Sequence, residues 1–290
     1  MIHNVAWIGT GVMGAPMAVH LQRAGYQVYA FNRSFEKAER LRTEGIIPCR
    51  TLRQAVENAD AVFSMVGYPS DVEQVYLEPE GVLKSMRPGT VAVDMTTSSP
   101  ELAVRLAEKG REKGIFMLDA PVSGGDKGAR EGTLTIMAGG EREAYDRVLP
   151  LLKALGSEAH YMGGAGAGQH TKACNQICVA GATAAYCEAL AYAHAAGLNE
   201  QEVLAAIDGG AAGSWQLKNM APRALQGDDA PGFYIKHFIK DMRIVRENPA
   251  GKQLEMLRTV LDMYEKMADE GLENQGTQAL YRFLLEKILR

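Results

Sequence analysis

Along the first half of the chain, short apolar, β-branched runs alternate with stretches of helical periodicity. Residues 5–8 read as a strand, 11–24 as a helix closed by Gly25, and 27–31 as the next strand. Ser34 is placed to cap a helix running towards Gly45. Thr51 with Gln54, and Ser70 with Glu73, have capping-box spacing, in which each side chain satisfies the other residue's orphan N–H. Residues 61–66 form the apolar run of a strand buried on both faces. Strands are expected at 90–94, 115–118, 134–138 and 158–161, and Ser99-Pro100 is a helix start, a cap followed by an N1 proline. Repeated β-α-β units of this size predict a twisted, mainly parallel sheet with helices on both faces.

After Met162 the pattern changes. A glycine-rich stretch, residues 163–168, leads into a long Ala-rich helix to about Ala196. Shorter helices follow, starting near Asn199, Ser214, Lys236, Gly251 and Gly276, with no further strand. The predicted organisation is therefore an α/β domain over residues 1–162 and an all-α domain over 163–290, joined by the long interdomain helix. The small residues of that helix suit close packing between domains or subunits.

Composition narrows the function classes. The 290 residues carry 31 Lys plus Arg against 35 Asp plus Glu, and 47% are apolar, which excludes a disordered or collagen-like chain. No basic stripe of a nucleic-acid binder is present. Residues 177–198 are the most lipid-like stretch, but Glu188, His194 and two tyrosines argue for a buried helix rather than a membrane span. No secretory signal is legible at the start. The four cysteines, Cys49, Cys174, Cys178 and Cys187, show no disulfide framework, so a cytoplasmic protein with reduced thiols is expected. His170, Cys174 and Cys178 recur every four residues, a spacing that can hold a metal. On an apolar helix small core residues are the better account, and no metal is expected.

The first turn carries chemistry. Gly9-Thr10-Gly11-Val12-Met13-Gly14 sits between strand and helix, where the glycines permit a tight turn, close approach of a pyrophosphate and close helix–strand packing. This makes the first domain a Rossmann dinucleotide-binding domain. The next strand ends in Asn32-Arg33-Ser34, with no Asp or Glu to bond a ribose 2′-hydroxyl. Arg33, with the Asn32 amide and the Ser34 hydroxyl, suits a 2′-phosphate, so NADP(H) is preferred, with NAD(H) the alternative.

Residues 8–18, together with Asp119-Ala120-Pro121-Val122-Ser123-Gly124-Gly125, the run 168–176 (Gly-Gln-His-Thr-Lys-Ala-Cys-Asn-Gln) and Lys240-Asp241, resemble the signature blocks of the β-hydroxyacid dehydrogenases. That family includes 3-hydroxyisobutyrate dehydrogenase, tartronate semialdehyde reductase and the glyoxylate/succinic semialdehyde reductases. The blocks fall in family order across nearly the whole chain. The resemblance implies that Lys172 is the general acid/base, with Lys240 the neighbouring cation that would ease its deprotonation. Asn175, one turn on, is the second catalytic candidate and would bond the substrate. Gln176 stands where relatives have a second Asn and is a further candidate for binding the substrate. Ser123, Gly124 and Gly125 would hold a substrate carboxylate, and Lys240 would lie near nicotinamide and substrate, with Asp241 orienting its helix. Val66, Gly67, Asp71 and Thr97 would line the cofactor, although Val66-Gly67 replaces the usual Leu-Pro. Phe233 and Trp215 are candidate pocket-lining residues.

The expected activity is NADP(H)-dependent interconversion of a short carboxylate-bearing aldehyde and its hydroxy acid. An NAD-dependent 3-hydroxyisobutyrate dehydrogenase is the alternative within the class, and a non-catalytic cofactor-binding sensor the alternative outside it. 6-Phosphogluconate dehydrogenase resembles the first domain, but its chain is much longer. A homodimer or homotetramer with a small-molecule carboxylate substrate is implied.

Overall fold

The computed structural model describes residues 2–288, which divide into two compact units, one ending at Lys172 and one starting at Ala173. The first holds the strands β1 (Asn4–Ile8), β2 (Gln27–Phe31), β3 (Ile47–Cys49), β4 (Ala61–Ser64), β5 (Val91–Asp94), β6 (Phe116–Asp119), β7 (Val122–Ser123), β8 (Thr135–Gly140) and β9 (Glu158–Gly163). The sheet runs β3-β2-β1-β4-β5-β6-β8-β7, with β9 also paired to β8. Its first six strands are parallel in the order 3-2-1-4-5-6 of a doubly wound dinucleotide-binding sheet. Strand order reverses between β1 and β4, so the crevice for a ligand opens beyond Ile8 and Ser64.

Helices of this unit are α1 (Gly14–Arg23), α2 (Phe35–Glu39), α3 (Leu52–Val56), α4 (Pro69–Leu77), α5 (Val82–Ser85), α6 (Pro100–Arg111), α7 (Gly125–Glu131) and α8 (Arg142–Leu155). Period-2 alternation along the strands feeds two cores. Val5, Trp7, Ala61, Phe63, Val91 and Val93 pack with Met17, Leu21 and Val148 on one face. Ala6, Ile8, Val62 and Ala92 pack with Val72, Tyr76 and Leu106 on the other.

Local signals were used with some corrections. Thr51 and Gln54 do form a reciprocal capping box, and Ser99 Oγ accepts from Leu102 N–H at 3.1 Å. The Ser70–Glu73 pair is not the cap of α4. Pro69 takes the first helical position, and Asp71 reaches back to accept from the Tyr68 N–H at 3.0 Å. Ser34 makes no side-chain cap, and its helix tightens into a 3₁₀ turn over Arg40–Glu44 before the left-handed Gly45. The short strands β3 and β7 were not anticipated.

Helix α9 (Ala167–Ala195) begins in the first unit and continues into the second, where α10 (Glu200–Asp208), α11 (Trp215–Leu225), α12 (Ile235–Glu247), α13 (Glu255–Asp269) and α14 (Leu280–Ile288) follow. Asn199 and Ser214 cap α10 and α11 as their positions predict. The helix expected from Gly251 starts only at Glu255. On α12 the buried positions are Ile235, Phe238, Ile239, Asp241, Met242 and Val245, a helical stripe that seats one carboxylate among apolar side chains. Phe238 meets Tyr264 edge-on at 5.0 Å within the second unit's core. Among the described residues, no helix is long and apolar enough to cross a membrane.

Candidate active site

In the first unit the turn after β1 is built by close contacts that only glycines allow. Gly9 has φ +94°, and a Cβ there would run into the Met65 carbonyl. A Cβ on Gly14 would strike the Gly9 carbonyl and come within 3.0 Å of Trp7 Nε1, which itself donates to that carbonyl at 2.9 Å. Gly11, by contrast, faces open space, with no atom within 4 Å of where its Cβ would be. Thr10 is buried and its Oγ1 has no partner in the fold. A tight turn, an open glycine face, an unused buried hydroxyl and the N-terminus of α1 together fit a pyrophosphate.

At the end of β2, Asn32 is already committed. Its Oδ1 accepts from Thr10 N–H at 3.0 Å, and its Nδ2 donates to the Ser34 carbonyl at 3.1 Å. The amide thus ties the glycine turn to β2, and both its ends serve the fold. Arg33 is the exposed cation of this edge, 3.8 Å from Asp71. Asp71 therefore meets Arg33 and the Tyr68 N–H. Val12 is exposed and Met13 half-buried beside α1, while Val66 N–H donates to Thr96 Oγ1 at 3.0 Å. Gly67 and Thr97 are half-buried on the neighbouring loops.

The beginning of α9 is anchored by groups to which the sequence assigned no role. Asp119, at the C-terminal end of β6, accepts from Gly166 N–H through Oδ1 and from Gln169 N–H through Oδ2, each at 2.8 Å. It is an external cap on the helix, placed where the dipole favours a negative charge. Burial pushes its carboxyl up to about 6, opposed by those N–H bonds and reinforced by the nearby charge of Asp94. Gln169 spans to the loop after β5: its Oε1 accepts from Ser98 N–H at 2.9 Å, and its Nε2 donates to the Thr96 carbonyl at 2.8 Å. Gly168 lies so close to Met137 and Asp119 backbone that a side chain has no room. Lys172, one turn beyond Gln169, is buried. Ser123 ends β7 half-buried, followed by Gly124 and Gly125, both at positive φ.

The second unit carries a compact polar cluster in its own interior. Lys240 Nζ lies 3.1 Å from Asp241 Oδ1, Gln176 Nε2 donates to Asp241 Oδ2 at 2.7 Å, and Asn175 Nδ2 donates to Gln176 Oε1 at 2.7 Å. Asp241 and Gln176 are each 3% exposed, so these bonds are shielded from water. Of the aromatic candidates, Phe233 packs against Phe238 at 5.6 Å, whereas Trp215 is 60% exposed. His170, Cys174 and Cys178 are all exposed, which corrects the expectation that they are small core residues, and no group of three metal-binding side chains occurs among the described residues.

A doubly wound sheet with a glycine turn at its switch point defines a dinucleotide-binding protein. A family profile described as the NAD-binding domain of 6-phosphogluconate dehydrogenase matches residues 4–166, and one described as the NAD-binding domain of NADP-dependent 3-hydroxyisobutyrate dehydrogenase matches residues 166–284. An uncharacterized oxidoreductase of Bacillus subtilis is 47% identical over 284 residues, covering 97% of this chain and 99% of its own. The 2-hydroxy-3-oxopropionate reductase of Escherichia coli is 38% identical, covering 98% and 97%. A solved structure of Mycobacterium tuberculosis 3-hydroxyisobutyrate dehydrogenase with L-serine superposes with a TM-score of 0.90 at 30% identity, over 98% of this chain and 99% of that one. The chain belongs to the β-hydroxyacid dehydrogenase family.

Proposed function

We propose that this enzyme reduces a short aldehyde bearing a carboxylate to its hydroxy acid with NADP(H), and runs the reverse reaction when the hydroxy acid is in excess. The observation that carries this reading is the buried Lys172 amine, one turn into a helix whose start is held by Asp119 and Gln169. A buried, positioned amine suits delivery of one proton at one place. The nicotinamide, when bound, supplies or accepts the hydride. Lys172 gives its proton to the oxygen that becomes the hydroxyl and takes it back in the oxidative direction. Ser123, with the Gly124 and Gly125 N–H groups, holds the substrate carboxylate, which fixes which carbonyl is presented. Asn175 and Lys240 are assigned to the substrate side of the reaction, and Lys240 also to the nicotinamide, whereas Gln176, bonded at both ends of its amide, is not assigned a direct substrate contact.

Arg33 and the Ser34 hydroxyl are assigned to the 2′-phosphate of NADP(H). Asn32 is not, because both ends of its amide are already bonded. Thr10, Gly11 and the start of α1 receive the pyrophosphate, and Val66, Gly67, Asp71 and Thr97 flank the cofactor. The enzyme is read as a cytoplasmic homo-oligomer.

The test is NADPH oxidation, with NADH in parallel, against glyoxylate, succinic semialdehyde, tartronate semialdehyde and methylmalonate semialdehyde. Turnover with at least one of them, faster with NADPH, is expected. Faster turnover with NADH would remove the Arg33 assignment and leave the chemistry standing. Lys172→Ala should lower kcat by about 10²–10⁴-fold with NADPH affinity unchanged. A variant that turned over at the wild-type rate would end the general-acid assignment.

A further inference from the structure

We infer that Gln176 is a positioning residue that passes the polarity of the Asp241 carboxylate to the amide of Asn175. The inference rests on the reading that Asn175 contacts substrate. The argument follows from what each group can donate or accept. Ionised Asp241 only accepts, and it is buried with Lys240 Nζ at 3.1 Å from Oδ1. Its other oxygen, Oδ2, meets Gln176 at 2.7 Å, so Gln176 must turn its NH₂ group to it. The Gln176 carbonyl oxygen then points the opposite way and accepts from Asn175 Nδ2 at 2.7 Å. Asn175 is left with Oδ1 as the end of its amide not engaged by Gln176. An amide that could flip freely is thereby fixed as an acceptor towards a hydroxyl or an ammonium N–H.

The length of the side chain is part of the device. An asparagine in place of Gln176 is one methylene shorter and cannot hold both 2.7 Å contacts from the same backbone position, so the glutamine is matched to Asp241 and Asn175 at once. A leucine keeps the volume and abolishes both bonds. A glutamate puts a carboxyl against Asp241, where two like charges in hydrogen-bond contact repel, so its proton is held to higher pH than on an isolated carboxyl. With its carboxyl protonated, the Gln176→Glu side chain donates to Asp241 Oδ2 and still offers its second oxygen to Asn175. Ionised, the same side chain breaks the relay.

The experiment compares wild type, Gln176→Leu, Gln176→Asn and Gln176→Glu as NADP⁺ complexes oxidising the hydroxy acid of the fastest aldehyde of the panel, whose hydroxyl is the donor to Asn175 Oδ1. Gln176→Leu and Gln176→Asn should raise the hydroxy-acid KM at least tenfold and leave the NADP⁺ KM within twofold. Gln176→Glu should approach wild-type kcat/KM at acid pH and lose it as pH rises, through an ionisation that the other variants lack. Changes below twofold in Gln176→Leu, or a Gln176→Glu profile parallel to that of Gln176→Leu, would overturn the relay. Absence of turnover by wild type itself would count against the proposed activity instead. The relay is then read from the Asn175 side-chain amide in ¹⁵N-detected spectra, assigned by loss in Asn175→Asp. A large shift of that resonance in Gln176→Leu supports the relay, and an unmoved resonance refutes it.

Discussion

Asp119 shows how one buried carboxyl can anchor a helix start, here that of α9. Its folded-state pKa lies above its ordinary value of 3.8, at about 6, because burial costs the carboxylate more than two backbone N–H bonds return. A group raised in this way contributes stability that is fully present below about pH 4 and is lost as pH rises to about 6. At neutral pH the charged form carries a penalty on the order of 3 kcal/mol. Asp119→Asn should remove that component, so its melting temperature should fall less than that of wild type between pH 4 and pH 6. Parallel melting curves over this range would show that Asp119 is not the titrating group. The sequence displays Asp119 and Gln169 inside recognisable blocks, yet their bond joins positions 50 residues apart. No local periodicity encodes such a pairing. Asn32 is the complementary case: its place at the end of the second strand was legible, whereas its use in tying Thr10 to Ser34 depends on two turns meeting.

At the level of elements, the turn from β1 into α1 lets the proposed binding role be tested apart from folding within six residues. Gly14→Ala puts a Cβ into the Gly9 carbonyl and against Trp7, so it should lower both stability and NADPH affinity. Gly11→Ala meets no protein atom, and its backbone is not in the left-handed region, so the variant should melt within about 1 °C of wild type. It should nonetheless bind NADPH at least tenfold more weakly, because the methyl group fills the face a pyrophosphate must approach. Thermal melts and fluorescence titration of both variants make the comparison. Unimpaired NADPH binding by Gly11→Ala would mean the pyrophosphate lies elsewhere. This turn was readable because the constraint is local. The cap of α4 was not, since Pro69 and Asp71 together outcompete the equally well-spaced Ser70 and Glu73. The break of α2 into a 3₁₀ turn has the same origin, Gly45 closing the segment in a left-handed conformation that helical periodicity does not register.

For the whole chain, cofactor binding and stability are linked by mass action. A ligand that binds only the folded state adds about 2.7 kcal/mol at one hundred times its Kd. The first unit, ending at Lys172, has its own two-sided core around the sheet, and the second has a separate core of helices. For a cooperative unit of that size, each kcal/mol moves the midpoint by about 2–4 °C, so saturating NADPH should raise the transition of the first unit by roughly 5–10 °C. If Arg33 holds the 2′-phosphate as proposed, it decides how this increment depends on the cofactor. It is the exposed cation at the end of β2, its charge only partly met by Asp71 at 3.8 Å, and a 2′-phosphate is the cofactor feature that would engage it. In Arg33→Ala the NADPH-induced rise should shrink to the size of the NADH-induced rise, and the NADH value should stay as in wild type. Calorimetry with each cofactor at equal concentration reads both numbers from one protein. If Arg33→Ala lowered the two increments alike, the arginine would be serving the shared part of the dinucleotide, and the preference for NADPH would have to come from another group.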